Sequence, residues 1–230
     1  MQNRILCLIP ARGGSKGIKN KNLAILKGKP LLYWTLNLAK KIKLFDKIVV
    51  STDSKRIQNY AKKNKVESPF LRPKNISTDT TPMKNVILHT LKYYKKNNYL
   101  PTAVVLLQPT SPFRKKSTLI KACKIFIRDK LDSLFTVEKI KHTQQPDYIF
   151  HNKNNFLKNT LKKLNKKKNR QSIKDYFALD GGVIFIFKSS TIKKGLISGK
   201  LSYIEVKMPE CLDIDNLDDL KFAEKININL

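Results

Sequence analysis

"RILCLIPARGGSKGIKNKN", residues 4–22, is the stretch on which the reading of this chain turns. Ile5 to Ile9 form an unbroken apolar run, the mark of a strand buried on both faces of a sheet. Pro10 ends the run, and the chain passes straight into a loop carrying Gly13, Gly14 and Gly17. These glycines are expected to let the backbone turn tightly and to bring its N–H groups close to a bound anion, while Arg12, Lys16, Lys19 and Lys21 supply positive charge. The order is not that of a Walker loop, which needs Gly-Lys-Ser/Thr after four spacers, nor of the dinucleotide fingerprint, whose first two glycines are separated by one residue. A glycine turn after a strand needs no ligand. The basic residues nevertheless crowd around these glycines, and Asn20 and Asn22 add amides able to read a base or a ribose, so a phosphate loop is the better reading.

Working outward, apolar runs alternate with amphipathic stretches. Strands are expected at Arg4 to Ile9, Lys47 to Ser51, Ala103 to Leu107, Ser133 to Glu138, Val183 to Phe187 and Tyr203 to Val206. Helices are expected at Leu31 to Ile42, Lys55 to Asn64, Met83 to Lys96, Leu119 to Arg128 and Leu217 to Ile226, where apolar residues recur at three and four. Strand, crossover helix and strand repeated in this way imply an α/β fold with a mostly parallel, Rossmann-like sheet covered by helices on both faces. Ligands in such sheets sit beyond the carboxyl ends of the strands. From Lys139 to Ala178 the rhythm breaks, and the chain runs polar and basic through "NTLKKLNKKKNRQ". The division expected is therefore an α/β domain of residues 1–138 and 179–230 with an excursion, 139–178, inserted in it. A solvated loop region and a subunit-contact arm are both open readings of that excursion.

The chain has 230 residues with 41% hydrophobic and 9% aromatic side chains, which excludes disorder throughout. Its apolar runs are too short to cross a bilayer, and the N-terminus lacks the apolar stretch of a secretory signal, so no membrane contact and a cytoplasmic location are expected. Cys7, Cys123 and Cys211 lie far apart and form no metal or disulfide pattern. A formal charge of +30 comes from 47 basic against 17 acidic residues, and only seven of the basic residues are arginine. Specific nucleic-acid grooves lean on the bidentate guanidinium, so lysine spread evenly through the chain argues against nucleic acid as the specific partner.

Other polar residues follow later strands. Thr52-Asp53 comes directly after a strand, and capping the next helix would account for Asp53. "FLRPKNISTDTTP", residues 70–82, packs Arg72, Asp79, Thr80 and Thr81 into the loop before a helix. "LLQPTSPFR", residues 106–114, sets Gln108 directly off a buried strand, with prolines stiffening the turn. In "CLDIDNLDDL", residues 211–220, Asp213 and Asp215 alternate on one face of an extended segment and could share a hard cation, although Asp215 could equally cap the helix that follows.

The motifs "IPARGGSKGIKNKN" (9–22), "IVVSTDS" (48–54), "LRP" and "STDTTP" (71–82), "LLQPTSPFR" (106–114), "RQ" (170–171) and "LDIDNLDDL" (212–220) occur together and in order. In them the chain resembles, over nearly its whole length, the cytidylyltransferases that make CMP-activated nine-carbon keto sugars, the family of CMP-sialic acid synthetase and of bacterial legionaminic and pseudaminic acid cytidylyltransferases. The resemblance implies a nucleotide-sugar transferase fold, CTP and a 3-deoxy-2-keto sugar acid as substrates, Mg²⁺ as cofactor and a homodimer. It implies that Ala11, Arg12, Gly13, Gly14, Ser15, Lys21 and Asn22 hold the triphosphate, with Arg12 and Lys21 neutralising charge at the α-phosphorus and the departing pyrophosphate. Arg72, Thr80 and Thr81 are then nucleoside contacts, and Asp213 and Asp215 metal ligands. Gln108, Arg170, Asp180 and Gly182 fall on the sugar side, Arg170 reaching across the dimer interface from the excursion. Two motifs depart from the sialic-acid pattern. "KHTQQPDY", residues 141–148, has His142 but no matching lysine, and Asp180-Gly181-Gly182 stands where Asn-Gly followed by a tyrosine is common. Met83 occupies a position where a small hydroxyl residue is frequent. A basic nucleic-acid-binding protein and a silent scaffold of the same fold are the competing readings. The scaffold would be expected to have lost Lys21 or the aspartate pair, and all three residues are present.

Overall fold

In the computed structural model, β1 (Ile5–Pro10) is the strand around which the molecule is laid out. The structure describes residues 4–141, 144, 149–153, 156–159, 175–179 and 183–227. After β1 the chain forms a small hairpin, β2 (Ile25–Leu26) and β3 (Lys29–Pro30), and then helix α1 (Leu31–Lys40). β4 (Lys47–Ser51), α2 (Lys55–Lys63), α3 (Met83–Lys96), β5 (Ala103–Leu106), α4 (Lys116–Arg128) and β6 (Ser133–Lys139) continue the alternation. The second hairpin, β7 (Phe150–Lys153) with β8 (Phe156–Asn159), precedes β9 (Phe177–Leu179), β10 (Phe185–Lys188), β11 (Leu201–Glu205) and α5 (Leu217–Lys225).

The main sheet runs β11-β6-β10-β5-β1-β4, with β9 also paired to β6. β4, β1 and β5 are parallel, and β11 is parallel to β6. Only β10 and β9 run against the rest, so the expected mostly parallel α/β sheet is found. The antiparallel sense of β10 was not legible, because a continuous apolar run carries no direction.

Alternation along β1 divides it between two cores. Ile5, Cys7 and Ile9 pack with Leu32, Leu36 and Ala39 of α1, Ile57 and Ala61 of α2, and Leu119, Ala122 and Phe126 of α4. Leu6 and Leu8 point the other way, into a core shared with Val49, Val104, Leu106, Phe135, Phe187 and, from α3, Ile87 and Tyr94. Three helices thus cover one face and α3 the other. All three cysteines are buried and none forms a disulfide. Among the described residues, no helix is long and apolar enough to cross a membrane.

The excursion expected at 139–178 starts inside β6 and ends inside β9. Its described residues include the β7–β8 hairpin, which the polar sequence did not announce. On β6, Thr136 bonds Ile184 while the next residue, Val137, pairs with Leu179, so the register steps by four residues there.

β1 has a neighbour on each edge and a core on each face, and Leu8 is fully buried at its centre. Leu8→Ala should therefore lower unfolding stability by about 2–5 kcal/mol, read as a shifted urea midpoint, whereas an exposed change such as Lys19→Ala should not move it.

Candidate active site

β1 lies between β4 and β5, and the chain leaves it for β4 on one side and later returns to β5 on the other. Loops leaving the carboxyl ends of β1 and β5 therefore diverge and leave a crevice at this switch point. Ala11 N–H donates to the Ser51 carbonyl (2.9 Å) and Leu107 N–H to the Leu8 carbonyl (3.0 Å), so the sheet ladder fixes where both loops start.

None of Gly13, Gly14 and Gly17 has a positive φ, although the chain does bend at Gly13 and Gly17. Two of them provide close approach. Gly13 packs against Ser54, and its N–H donates to Asp53 Oδ1 at 2.8 Å. A Cβ on Gly17 would run into the backbone carbonyl of Asp215, so only glycine lets this loop lie against the 213–215 segment. The left-handed residue of the loop is Asn20, with φ 55°, after which a 3-10 turn over Lys21–Leu23 presents Lys21 and the buried Asn22. Asn22 Nδ2 donates to the Arg12 carbonyl at 2.9 Å and holds the two ends of the loop together.

Asp53 is not the helix cap that its position allowed. Ser54 occupies that position without a side-chain cap bond, and the Asp53 carboxylate braces Gly13 and faces Arg72 instead. Asp215 is not a cap either. Asn216 caps α5, its side chain accepting from the N–H groups of Asp218 and Asp219, while Asp219 accepts from Asp215 N–H and Asn216 N–H at 2.9 Å each. The Asp215 side chain is left to pair with Lys21 Nζ at 2.7 Å. Asp213 is half-buried beside Thr110, and its Oδ1 is buried with no hydrogen-bond partner. Burial raises the Asp213 carboxyl above the usual carboxylate range; a Thr110 hydrogen bond opposes this, the negative Asp215 adds to it, and Lys21 and Arg114 oppose it.

The opposite wall is the segment before α3. Arg72 is buried, with its N–H bonded to the Thr52 carbonyl and its Nε to Ser77 Oγ at 3.0 Å; burial makes its guanidinium less basic than usual, and Asp53 partly offsets that. Thr78, Asp79, Thr80 and Thr81 form an internally bonded turn, with Thr78 Oγ1 2.8 Å from Thr81 Oγ1 and 3.3 Å from Thr80 Oγ1. The Asp79 carboxylate pairs with Arg12 and lies 3.6 Å from Lys16. Arg114 is buried behind the Gln108 turn, donating through Nη2 to the Gln108 carbonyl at 3.0 Å and through Nε to the Val183 carbonyl.

These loops enclose a cleft of ≈ 260 Å³. Of the residues expected from the sequence, it is lined by Arg12, Ser15, Lys21, Asn22, Arg72, Thr81, Gln108 and Asp215. Ala11 is buried behind the loop, Gly13 is turned to Asp53, and Gly14, Thr80 and Asp213 are next to the lining without forming it. Arg170, Asp180, Gly182 and His142 lie outside the described residues. The cleft adds Thr110, Asp79 and an apolar strip of Ile76, Met83 and Val86. Asp79 was in view in its motif, but nothing in the sequence assigned it to Arg12. For Thr110 the signal was the rigid "QPTSP" turn.

Arginine, lysine, the buried Asn22 amide and paired carboxylates converging at a switch point make a cleft able to take an anionic ligand of polyphosphate type. A family model described as cytidylyltransferase matches residues 6–178. The chain is a member of this cytidylyltransferase family. It is 31% identical over 225 residues to an N-acylneuraminate cytidylyltransferase of Escherichia coli, covering 97% of the chain and 52% of that protein. It is 31% identical over 222 residues to a pseudaminic acid cytidylyltransferase of Campylobacter jejuni, covering 95% of the chain and 94% of that protein. The chain thus spans about half the length of the first relative and nearly all of the second. A CMP-N,N'-diacetyllegionaminic acid synthase of Legionella pneumophila is 41% identical over 122 residues, covering 53% of each chain. Among solved structures, a CMP-2-keto-3-deoxy-manno-octonic acid synthetase complexed with CTP shares the fold, with a TM-score of 0.70 at 13% identity over 96% of this chain and 97% of that one. The cytidylyltransferase fold and family are thereby both in place.

Because burial raises Asp213 in the folded chain, its ionised form costs stability above that raised pKa, and the cost disappears as the pH falls below the unfolded value. Asp213→Asn should therefore raise the melting temperature at neutral pH, by an amount that shrinks on acidification. Melting curves across that pH range check the sign, and a lower melting temperature at neutral pH would contradict it.

Proposed function

We propose that the protein transfers CMP from CTP to a nine-carbon 3-deoxy-2-keto sugar acid of the sialic, legionaminic or pseudaminic type, giving CMP-sugar and pyrophosphate. The observation that supports this best is that one cleft brings Arg12, Lys21 and Asn22 of the β1 loop together with Arg72, Thr81, Gln108 and Asp215. The names of the E. coli, Campylobacter and Legionella relatives supply the reaction class and the three sugars. In this reading the anomeric hydroxyl oxygen of the sugar attacks the α-phosphorus in line. The bond from the α-phosphorus to the bridging oxygen breaks, pyrophosphate leaves with the electron pair, and the hydroxyl proton passes to solvent water. Arg12 and Lys21 neutralise charge on the phosphates, and the Asn22 bond to the Arg12 carbonyl keeps the guanidinium's backbone in place. Ile76, Met83 and Val86 offer an apolar wall on which the base can lie, with Arg72 and Thr81 beside it.

Mg²⁺ fits the donor set. Asp213 has a buried, partnerless carboxylate oxygen and a like-charged neighbour in Asp215, and a hard cation would satisfy the first and offset the second. Among the described residues no cluster of three or more His, Cys, Asp or Glu exists, so water and nucleotide phosphates would complete the coordination, as Mg²⁺ usually requires. When bound, the ion supplies charge neutralisation on phosphate oxygens. Asp213 and Asp215 are the residues proposed to hold it.

The proposal includes a homodimer. The core on the α3 face of the sheet ends at Phe135 of β6, and beyond it Phe177, Leu179, Leu201 and Tyr203 stand exposed on that same face. The Phe177 and Tyr203 rings lie 5.0 Å apart, so the exposed apolar surface is continuous. A second copy seated there would bring each excursion near the other's site, the position the family resemblance gives to Arg170. A cytoplasmic location is part of the same proposal.

Purified protein should release pyrophosphate from CTP only when one of these sugar acids is added, and Lys21→Ala should lower turnover by about 10²-fold or more at saturating CTP. Equal turnover with ATP or GTP would sink the cytosine assignment, and no turnover with any of the three sugars would sink the acceptor assignment. Tyr203→Glu should shift the protein from dimer to monomer in sedimentation, whereas a wild-type protein that is monomeric at micromolar concentration would contradict the dimer.

A further inference from the structure

The cations of the phosphate loop are not free in this structure. The Arg12 guanidinium and the Lys16 ammonium, which lies 3.6 Å away, share one carboxylate, that of Asp79. Asp79 comes from the opposite wall of the cleft, at the tip of a turn whose hydroxyls satisfy one another and whose residues are largely exposed. Its side chain is 35% exposed and that of Arg12 30%, so the pair sits at the mouth, where it adds little to folding. Arg12 holds Asp79 well below the usual carboxylate range, so the acid is an anion at any physiological pH. In a chain with 17 acids against 47 bases, an acid aimed at the anion-binding cations weakens substrate binding unless its displacement serves a purpose.

We propose that Asp79 is an internal stand-in for the pyrophosphate part of CTP, which occupies Arg12 and Lys16 when the nucleotide is absent and returns to them as pyrophosphate leaves. A carboxylate and a phosphate both present oxygens that a guanidinium can grip, so one replaces the other without moving the β1 loop. The exchange couples the two walls: phosphates on Arg12 and Lys16 release the turn, which also carries Thr81 beside the nucleoside, and departing pyrophosphate lets the turn close again. Asp79 is thus a positioning residue that opposes retention of pyrophosphate and with it the reverse reaction. The inference rests on the nucleotide reading given above, and it goes beyond that reading by assigning Asp79 to product release.

The test is calorimetric titration of the full chain with inorganic pyrophosphate at fixed ionic strength, without sugar. Asp79→Asn should bind pyrophosphate about three- to tenfold more tightly than wild type, and Asp79→Glu, which keeps the charge, should stay within about twofold of wild type. In the Arg12→Ala background the gain from Asp79→Asn should fall by at least half, because the partner has gone. Equal or weaker binding by Asp79→Asn overturns the proposal, and an undiminished gain in Arg12→Ala overturns it too, since the general field rather than the pair would then be responsible. Either result leaves CTP turnover, and so the functional reading, standing. A wild-type chain that binds neither pyrophosphate nor CTP overturns both.

Discussion

The close approach between the β1 loop and the 213–215 segment is the constraint on which the site depends. Residue 17 has no space for a Cβ beside the Asp215 carbonyl, and Lys21 and Asp215 meet only because the two backbones lie that near. Both partners are held from behind. The loop is tied to the sheet by the Ala11 and Gly13 bonds, and the other segment is tied by the Ile214 N–H bond to the Thr110 carbonyl, 2.8 Å, and by the capping box of α5. Cations and carboxylates held in this way meet at one point without movement of the core, which is what preorganised charge stabilisation requires.

Charges in the cleft are matched internally before any ligand arrives. Asp79 answers Arg12, Asp215 answers Lys21, and Asp53 answers the Gly13 N–H. With a net charge of +30, the unmatched positive field lies elsewhere on the surface and attracts anionic substrates from a distance without specifying where they bind. Affinity at the site itself is then a difference between substrate and internal acid at each cation, so the acids set the nucleotide's residence as much as the bases set its attraction.

The sheet and its helices were legible wherever one hydrophobic period dominates. Lys47–Ser51 and Met83–Lys96 match expectation at both ends, and the other core elements match within a few residues. What failed has physical reasons. The β7–β8 hairpin is a separate two-stranded sheet in a stretch rich in Asn and Lys, so it leaves no apolar period, and β10 reads as a strand without revealing its direction. In the site, residue types were legible and partners were not: the glycines were expected at bends, but not that Gly17 would lie against the Asp215 carbonyl, and Asp53 was expected to cap and braces a loop instead. Pairings such as Arg12 with Asp79 join distant segments of chain, and no local pattern encodes them.

The arrangement also explains how one fold can serve several acceptors. At 13% identity, the CTP-complexed octonic acid synthetase shares the architecture over nearly the whole chain, while relatives at 31% carry the names of different nine-carbon sugars. In this chain the residues assigned to the nucleotide come from the loop at the carboxyl end of β1, a strand paired on both edges, and from the segment between α2 and α3. The motif departures from the sialic-acid pattern fall instead on residues 141–148 and 180–182, which border the places where β6 ends and where its pairing register steps by four. Strand pairing that changes register there does not constrain the central β4-β1-β5 ladder. On the proposed reading, substitutions in these motifs leave that ladder in place, and sugar selectivity can diverge while the β1 loop stays fixed.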